Sequence, residues 1–484
     1  MSEKKSIWSK IGNTLIKNNV TVLFVLLCVG AFFASTYTLP SLFTELFTRL
    51  GRNTFLVLSL LIPVVAGLGL NFGIVIGAIA AQIAIFLVVH WGFTGFSGIL
   101  MTVLICTPLA VLFGFLVGKL FNSMKGTEMI GGLVAGYFSD GLYQLLFLVI
   151  LGGVIPINNS TLMISTGMGV KNVINLKDNL RYAIDEVSML SIINVAFYAG
   201  ILIGVILIVY RLIKKQDLQL KKLLTVLIPV IALYGISYVP AIRTFLSTPR
   251  LMLLNAVELG VIGVALFNIY KLIRLTAIEK KQGVPIKQLL YIAGAGAVYA
   301  STYISVIYQS LCAVHLPVLT FMLIGALCLF MPWLMNTKLG QDMRTVGQNR
   351  AVATSSGINV NRVRIIAMIL STVLASYGQL ISLQNIGTVA TYGSHQQVGL
   401  YAIAALLVGG ASVQHATVKH ALLGMVLFHT LFILSPNAGQ QLLGNAQIGE
   451  YFRVFVAYGV IALALAMHAW SNRGPKKQRG TLVR

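Results

Sequence analysis

The sequence predicts an all-α, polytopic membrane protein with about 14 transmembrane helices and both termini in the cytoplasm. The first observation is composition, since 57% of the 484 residues are hydrophobic and only 10% are charged. That balance is typical of chains that cross a bilayer many times. The second is the recurrence of long apolar runs, and the third is the clustering of basic residues between alternate runs.

The apolar runs set the predicted helices, because a spanning helix needs about 20 mostly apolar residues. They lie near 19–36, 54–70, 71–91, 98–120, 128–154, 190–211, 223–240, 251–272, 289–309, 316–335, 363–383, 399–411, 417–434 and 451–470. Within 54–91 the sequence contains Gly67, Gly69, Asn71 and Gly73. Small and flexible residues so close together predict a break in this stretch.

The basic residues explain the net charge of +23 without a nucleic acid. Five clusters hold most of them: Lys4, Lys5, Lys10 and Lys17; Arg211, Lys214, Lys215, Lys221 and Lys222; Lys271, Arg274, Lys280, Lys281 and Lys287; Lys338, Arg344, Arg350, Arg362 and Arg364; Arg473, Lys476, Lys477, Arg479 and Arg484. If the spans alternate, all five clusters face one side. This is the distribution of cytoplasmic loops in membrane proteins.

One cytoplasmic segment, 340–363, is unusually polar for this chain. Residues 341–356 contain no proline, so a short helix is predicted, and Gly357 suits the left-handed position after its end. Asn359 or Asn361 is suited to cap the next helix. On a helical wheel, one face of this helix is apolar and includes one cation. We interpret this face as a surface for a soluble partner. Its residues are Met343, Val346, Arg350 and Ala353.

This segment resembles the cytoplasmic coupling loop of ATP-binding-cassette (ABC) importer permeases of the branched-chain amino acid, ribose and nucleoside class. That family often shows a GR-type start, then GNPEAA, then SGINV. Here Gly340 is followed by Arg344, then by QNRAV at 348–352 and SGINV at 356–360. YAIAALLVGGAS at 401–412 resembles the family's alanine-rich span, and NFGIVIGAIAA at 71–81 resembles it more weakly. The acidic residue of the family pattern is replaced around Arg350.

The resemblance covers about 19–212 and 313–470, and so divides the chain. It implies a cytoplasmic N-terminal segment at 1–18, a first part of the permease domain at 19–212, and a second part at 313–470 with a coupling loop at 336–362. A basic tail follows at 471–484. Between the two parts, 213–312 is interpreted as an insertion with about three extra transmembrane helices.

The resemblance also implies partners. Two permease chains, identical or different, would pair in the bilayer, each on a cytoplasmic ATPase subunit, and an extracellular or lipoprotein binding protein would deliver the solute. The residues implied to couple ATPase motion to the spans are Arg344, Gly347, Arg350, Ala351 and Gly357.

The chain is not predicted to be an enzyme. Its nearest approach to a phosphate-binding loop runs from Gly114 to Lys119; it is one residue short and ends in Leu120, where magnesium needs a hydroxyl. No cofactor is therefore expected on this chain, and ATP and Mg²⁺ would be used by the partner ATPase. No spacing of Cys, His or acidic residues predicts a metal site or a catalytic residue.

The candidate solute pathway is inferred from polar and aromatic residues inside the spans: Asn71, Tyr137, Asp140, Tyr143 and Gln144. A membrane-embedded acid faces either a wet cavity or a buried partner, and for Asp140 both alternatives are open. Hydrogen-bonding and aromatic groups suit hydroxyl-rich or heterocyclic solutes, which favours a simple sugar or a nucleoside.

Two other classes of function are weighed against the importer permease. An ion-coupled secondary transporter would use acids such as Asp140 near the bilayer centre. An integral membrane enzyme would need a cluster of nucleophile, base or metal ligands, and the sequence offers none.

Overall fold

The computed structural model describes residues 19–214 except 125, 166 and 167, then 228, 231, 234–274 and 286–471. Its helices, numbered here α1 to α18 in chain order, are Asn19–Ala34, Leu39–Ser59, Leu61–Val65, Ile74–His90, Gly95–Ser123, Glu128–Leu145, Met189–Ile213, Pro240–Ser247, Leu253–Ile273, Ile286–Ser301, Ser305–Ala313, Val318–Asn336, Lys338–Gln348, Arg350–Ser355, Val360–Ile386, Val398–Val408, Val418–Leu443 and Ala446–Ser471. A π-helix at Leu146–Val154 extends α6. The strands are β1 (Val173–Asn175), β2 (Arg250–Met252), β3 (His315–Pro317) and β4 (Thr388–Ala390).

The helices confirm an all-α, multi-pass membrane protein. Among the described residues, eight helices are long and apolar enough to span a bilayer, or nine if α10 and α11, bent by 86°, form one span. The predicted number of about 14 is not confirmed. Helices α1, α4 and α16 are apolar but shorter than a full span, and half of the predicted run at 223–240 lies outside the described residues.

The chain forms two compact units. One comprises residues 1–38, 45–181 and 324–484, and the other comprises 39–44 and 182–323. The second unit contains the antiparallel pair of β2 and β3, and within it the Thr320 hydroxyl donates to Asp185 at 2.6 Å. The described residues of the proposed insertion at 213–312 lie inside this unit, and the boundaries of the insertion stay a prediction.

The core of the first unit is built around α4, most of whose residues are buried, with α15 and α5 packed beside it. The predicted break in 54–91 is present, since α3 ends at Val65 and α4 begins at Ile74. Gly67 and Gly69 adopt φ values of +70° and +74°, a region that favours glycine. Within this connection, the Asn71 Oδ1 accepts a hydrogen bond from the Gly73 N–H at 3.0 Å.

Glycines allow α16 and its C-terminal end to pack closely against α17. A Cβ atom on Gly424 would meet the carbonyl oxygen of Ala405, and one on Gly409 would meet that of His420. Small residues at such contacts let two helix backbones approach within a membrane. The pairing therefore depends on the absence of side chains at these positions.

We predict that Gly424→Ala destabilises the folded chain by about 1–3 kcal/mol, because the methyl group overlaps a backbone carbonyl that has no room to move. Thermal unfolding of the purified protein in detergent measures this as a lower Tm. The control is Gly459→Ala in α18, where an added Cβ has no neighbour within 4 Å. Equal Tm values for both variants would contradict the packing described here.

Candidate functional site

The polar segment folds as two short helices, α13 and α14, and the prediction of one continuous helix over 341–356 is wrong. The break falls at Asn349, whose extended backbone ends α13 and whose side chain accepts hydrogen bonds from the Ala351 and Val352 N–H groups at 2.9 and 3.2 Å. The side chain thus satisfies the first amides of α14, as N-cap residues do.

The end of the segment follows its sequence. Gly357 has a φ of +77°, the left-handed conformation expected after a helix. Asn359 caps α15 by accepting a hydrogen bond from the Arg362 N–H at 3.0 Å. The long helix α15 therefore begins after a short turn at 356–359 that follows α14.

The apolar face of the segment does not meet solvent, contrary to the interpretation of the sequence. Met343, Val346 and Ala353 are at most 1% exposed and pack inside the unit. The opposite face is exposed and polar, apart from Val352, which is 53% exposed. Its exposed residues are Lys338, Gln341, Arg344, Gln348, Asn349, Ala351, Val352, Thr354, Ser355, Ser356 and Gly357.

An ion cluster fixes this segment to three other parts of the unit. Glu128, at the start of α6, is buried, and its Oε1 accepts hydrogen bonds from Arg350 at 2.5 Å and from Arg364 at 2.6 Å. Arg364, fully buried in α15, also donates to the carbonyl of Phe121 at 3.0 Å. Arg350 further donates to the carbonyl of Gly67 at 3.3 Å.

The five predicted coupling residues take different positions. Arg344, Ala351 and Gly357 lie on the exposed face, whereas Arg350 turns inward to Glu128. Gly347 packs on the backbone of the connection after α3, where a Cβ would meet the Val65 carbonyl oxygen. A coupling role for any of them stays a prediction.

A groove adjoins the exposed face of the segment. It encloses about 720 Å³ and its floor is largely apolar. It is lined by Leu61, Val65, Met331, Pro332, Met335, Arg344, Gly347, Gln348, Gln414, His415, Ala416, Thr417 and Val418. The groove places Arg344 and Gln348 at the edge of a concave surface.

Three of the five predicted pathway residues come together around Asp140. Its Oδ1 lies 2.6 Å from Nε2 of His395, and its Oδ2 accepts hydrogen bonds from Gln144 at 3.1 Å and Gln396 at 3.2 Å. The Nδ1 of His395 is in turn 2.9 Å from the Gln82 side-chain oxygen. Asp140 therefore has a buried partner, which is one of the two alternatives left open by the sequence.

Tyr143 completes this cluster through its ring. It stacks on Phe147 with centroids 4.3 Å apart and meets the edge of His395 at 4.8 Å. Tyr137 is instead 69% exposed on the surface of α6, and Asn71 bonds within its own connection. The role of all five as a solute pathway stays a prediction.

Sequence reasoning missed His395, which lies in the turn between β4 and α16 and is fully buried. Burial lowers its pKa below the ordinary value, while the hydrogen bond to Asp140 acts in the opposite direction. A histidine in a polar turn carries no periodic signal. Only a contact across 255 positions of sequence reveals its partner.

The chain is similar to curated sugar permeases. It is 34% identical over 131 residues to the "Ribose import permease protein RbsC" of Escherichia coli K12, which is 27% of this chain and 38% of that protein. It is 28% identical over 162 residues to the "Xylose transport system permease protein XylH" of Haemophilus influenzae, covering 34% of this chain and 40% of that protein. For the "D-allose transport system permease protein AlsC" of E. coli K12 the identity is 28% over 181 residues, 37% and 52% of the two chains.

These relatives confirm the resemblance to ABC importer permeases. The chain spans about two-fifths to half of the length of the curated relatives it matches. No family model matches the chain, and no solved structure matches it.

We predict that Glu128→Gln lowers the stability of the folded chain by about 3–5 kcal/mol, because it leaves the buried Arg364 without a carboxylate. The measurement is the thermal unfolding temperature of the purified chain. The matched control is Glu45→Gln, which removes a partly exposed ion pair with Arg49 and should cost about 1 kcal/mol or less. If the two variants unfold together, Glu128 does not hold the cluster.

Proposed function

We propose that this chain is the membrane-spanning permease of an ABC importer for a small polar solute. The observation that carries the proposal is the segment α13–α14, which exposes a polar face with an arginine and is tied by its other face to the membrane core. A surface of this kind suits a soluble partner that moves. The similarity to ribose, xylose and allose permeases supports the same class.

The proposal requires partners that supply the energy and the solute. A cytoplasmic ATPase subunit would bind and hydrolyse ATP with Mg²⁺, while this chain would bind neither. A second permease chain, the same or different, would complete the pathway in the bilayer. A binding protein on the outer side, free or lipid-anchored, would deliver the solute.

The contacts of the segment suggest how motion would pass inward. Arg350 in α14 and Arg364 in α15 share the carboxylate of Glu128, so α6 and α15 are joined to the segment by short charged hydrogen bonds. Gly347 lies directly on the backbone beyond α3. A displacement of α13–α14 by an ATPase would therefore act on three membrane elements at once.

We infer a simple sugar as the solute. The three relatives named above are ribose, xylose and allose permeases by their names, which favours a sugar over the nucleoside that the sequence left open.

A second candidate function is an ion-coupled secondary transporter. One observation favours it, namely the buried pair of Asp140 and His395, two titratable groups 2.6 Å apart. Such pairs form proton relays in some transporters. Uptake driven by an ion gradient in vesicles that contain this chain alone would support it over the importer.

The test reconstitutes the chain with its ATPase in vesicles and measures ATP-driven sugar uptake. We predict that Arg344→Glu reduces ATPase binding and uptake on the order of tenfold, since arginine is enriched among the interface residues that contribute strongly to binding. The control is Lys119→Glu, a charge reversal of an exposed residue near the end of α5. Both variants should keep the wild-type Tm. Uptake that is unaffected by Arg344→Glu, or that needs no ATPase, would contradict the proposal.

A further inference from the structure

The exposed surface of α6 contains a polar stripe. Tyr137, Asp140 and Gln144 follow one another at intervals of three and four residues, so they lie on one face of the helix. The neighbouring face is apolar and equally open, since Phe138 and Leu142 are 67% and 51% exposed. Lipid suits the apolar face, whereas a face with an ionisable side chain needs a polar environment.

The stripe lies deep inside the bilayer. Asp140 is reached after a rise of about 18 Å along α6 from Glu128, which contacts the coupling segment. The hydrocarbon core is about 30 Å thick. At this depth an acid faces either protein or water. The carboxylate of Asp140 meets protein on one side, through His395, and the stripe on the other.

The turn at 391–397 lies at the same depth. The helix α16 that follows it has only 11 residues, a rise of about 16 Å, and it ends at Val408. The carbonyl of Val408 accepts a hydrogen bond from the Thr21 hydroxyl, near the predicted cytoplasmic start of α1. The turn is therefore inside the bilayer, where non-helical backbone persists only against protein or water. Gln396 in this turn is exposed and contacts Asp140, which indicates water.

The cluster presents hydrogen-bonding atoms to this open side. A carboxylate offers about four acceptor positions, and three of those on Asp140 face His395, Gln144 and Gln396. The side-chain oxygens of Gln144 and Gln396 accept no hydrogen bond within the described part of the chain. These groups are accessible, because Gln396 is exposed, Gln144 is half-buried and 17% of the Asp140 side chain is exposed.

The open atoms suit hydroxyl groups. Neighbouring hydroxyls on one molecule donate to carboxylate and amide oxygens and accept from amide N–H groups. Tyr137 lies one turn from Asp140 and is 69% exposed, so its ring is available to the C–H face of a sugar. Sites for small polar ligands combine aromatic walls with a few polar groups in this way.

We propose that four residues form a water-exposed contact site for the hydroxyl groups of a neutral sugar inside the bilayer: Tyr137, Asp140, Gln144 and Gln396. The choice of a sugar rests on the proposed function, whereas the aqueous face rests on the depth and the exposure of these residues. The site adds Gln396 to the residues that the sequence predicted for the pathway.

The first experiment tests whether the stripe meets water. Tyr137→Cys and Phe138→Cys place a thiol at positions of nearly equal exposure, 69% and 67%, about 100° apart around the helix. A membrane-impermeant maleimide labels the full-length variants in lipid nanodiscs, and the wild-type chain gives the background of its own cysteines. We expect Tyr137→Cys to react at least tenfold faster than Phe138→Cys. Equal rates would overturn the proposal.

The second experiment measures equilibrium binding to the full-length chain in nanodiscs, without an ATPase. The probes are D-ribose and D-xylose as neutral sugars, D-ribonate as an anion and D-glucosamine as a cation. We expect saturable binding of a neutral sugar. No saturable binding of either neutral sugar, or tighter binding of a charged probe, would overturn the proposal.

Two variants locate the site. Gln396→Ala removes one exposed amide and should weaken the Kd by about two- to tenfold, the usual effect of one hydrogen bond. Asp140→Asn removes a charged acceptor and should weaken it on the order of tenfold or more; Gln396→Ala decides the matter if this variant does not fold. The matched control is Gln397→Ala, an adjacent exposed glutamine that lines a different cavity. Binding that is unchanged in both site variants would overturn the proposal.

Uptake measured in parallel separates this site from the importer. ATP-driven uptake by the wild-type chain and its ATPase, with sugar binding unchanged in both site variants, would refute the contact site and leave the importer standing. Faster labelling of Tyr137→Cys and binding that Gln396→Ala weakens, without any ATP-driven uptake by the wild-type chain and its ATPase, would refute the importer and leave the contact site standing.

Discussion

The carboxylate of Glu128 is the contact on which the end of the first unit around α13 and α14 depends. One oxygen accepts from two arginines that lie on different helices, and the other accepts from the backbone N–H of Gly126 at 2.9 Å. Arg364 is fully buried, so its charge is balanced by Glu128, whereas the Arg350 side chain is 35% exposed and its charge is partly solvated. The cluster therefore constrains where α6, α14 and α15 lie relative to one another.

The same end of the unit contains backbone that is neither helical nor exposed. Between α3 and α4 the chain turns through Gly67 and Gly69, and the carbonyl of Gly67 accepts a hydrogen bond from Arg350. Non-helical backbone at membrane depth persists only where protein surrounds it and supplies hydrogen bonds. The segment α13–α14 thus provides part of the hydrogen-bonding environment of this connection.

The sequence predicted what depends on local chemistry. Composition and apolar length predicted the helical membrane fold, and glycine and asparagine predicted the break after α3, the stop at Gly357 and the cap at Asn359. It did not predict that Asn349 divides the segment or that its apolar face points inward. Nor did it pair Arg350 with Glu128 or Asp140 with His395, since those contacts join residues more than 200 positions apart.

The turn at 391–397 belongs to two environments. On one side His395 and Gln396 contact Asp140, and on the other Gly393, Ser394 and Gln397 border a cavity of about 300 Å³ that also includes Arg49, Tyr401 and Arg453 in its lining. The carbonyl of Ser394 also accepts a hydrogen bond from Gln379 in the cavity wall at 3.1 Å. The seven residues of this turn thus contact both the Asp140 cluster and the cavity wall. Because the same short stretch of backbone makes both sets of contacts, a displacement of this turn at the cavity would also change the hydrogen bonds on Asp140.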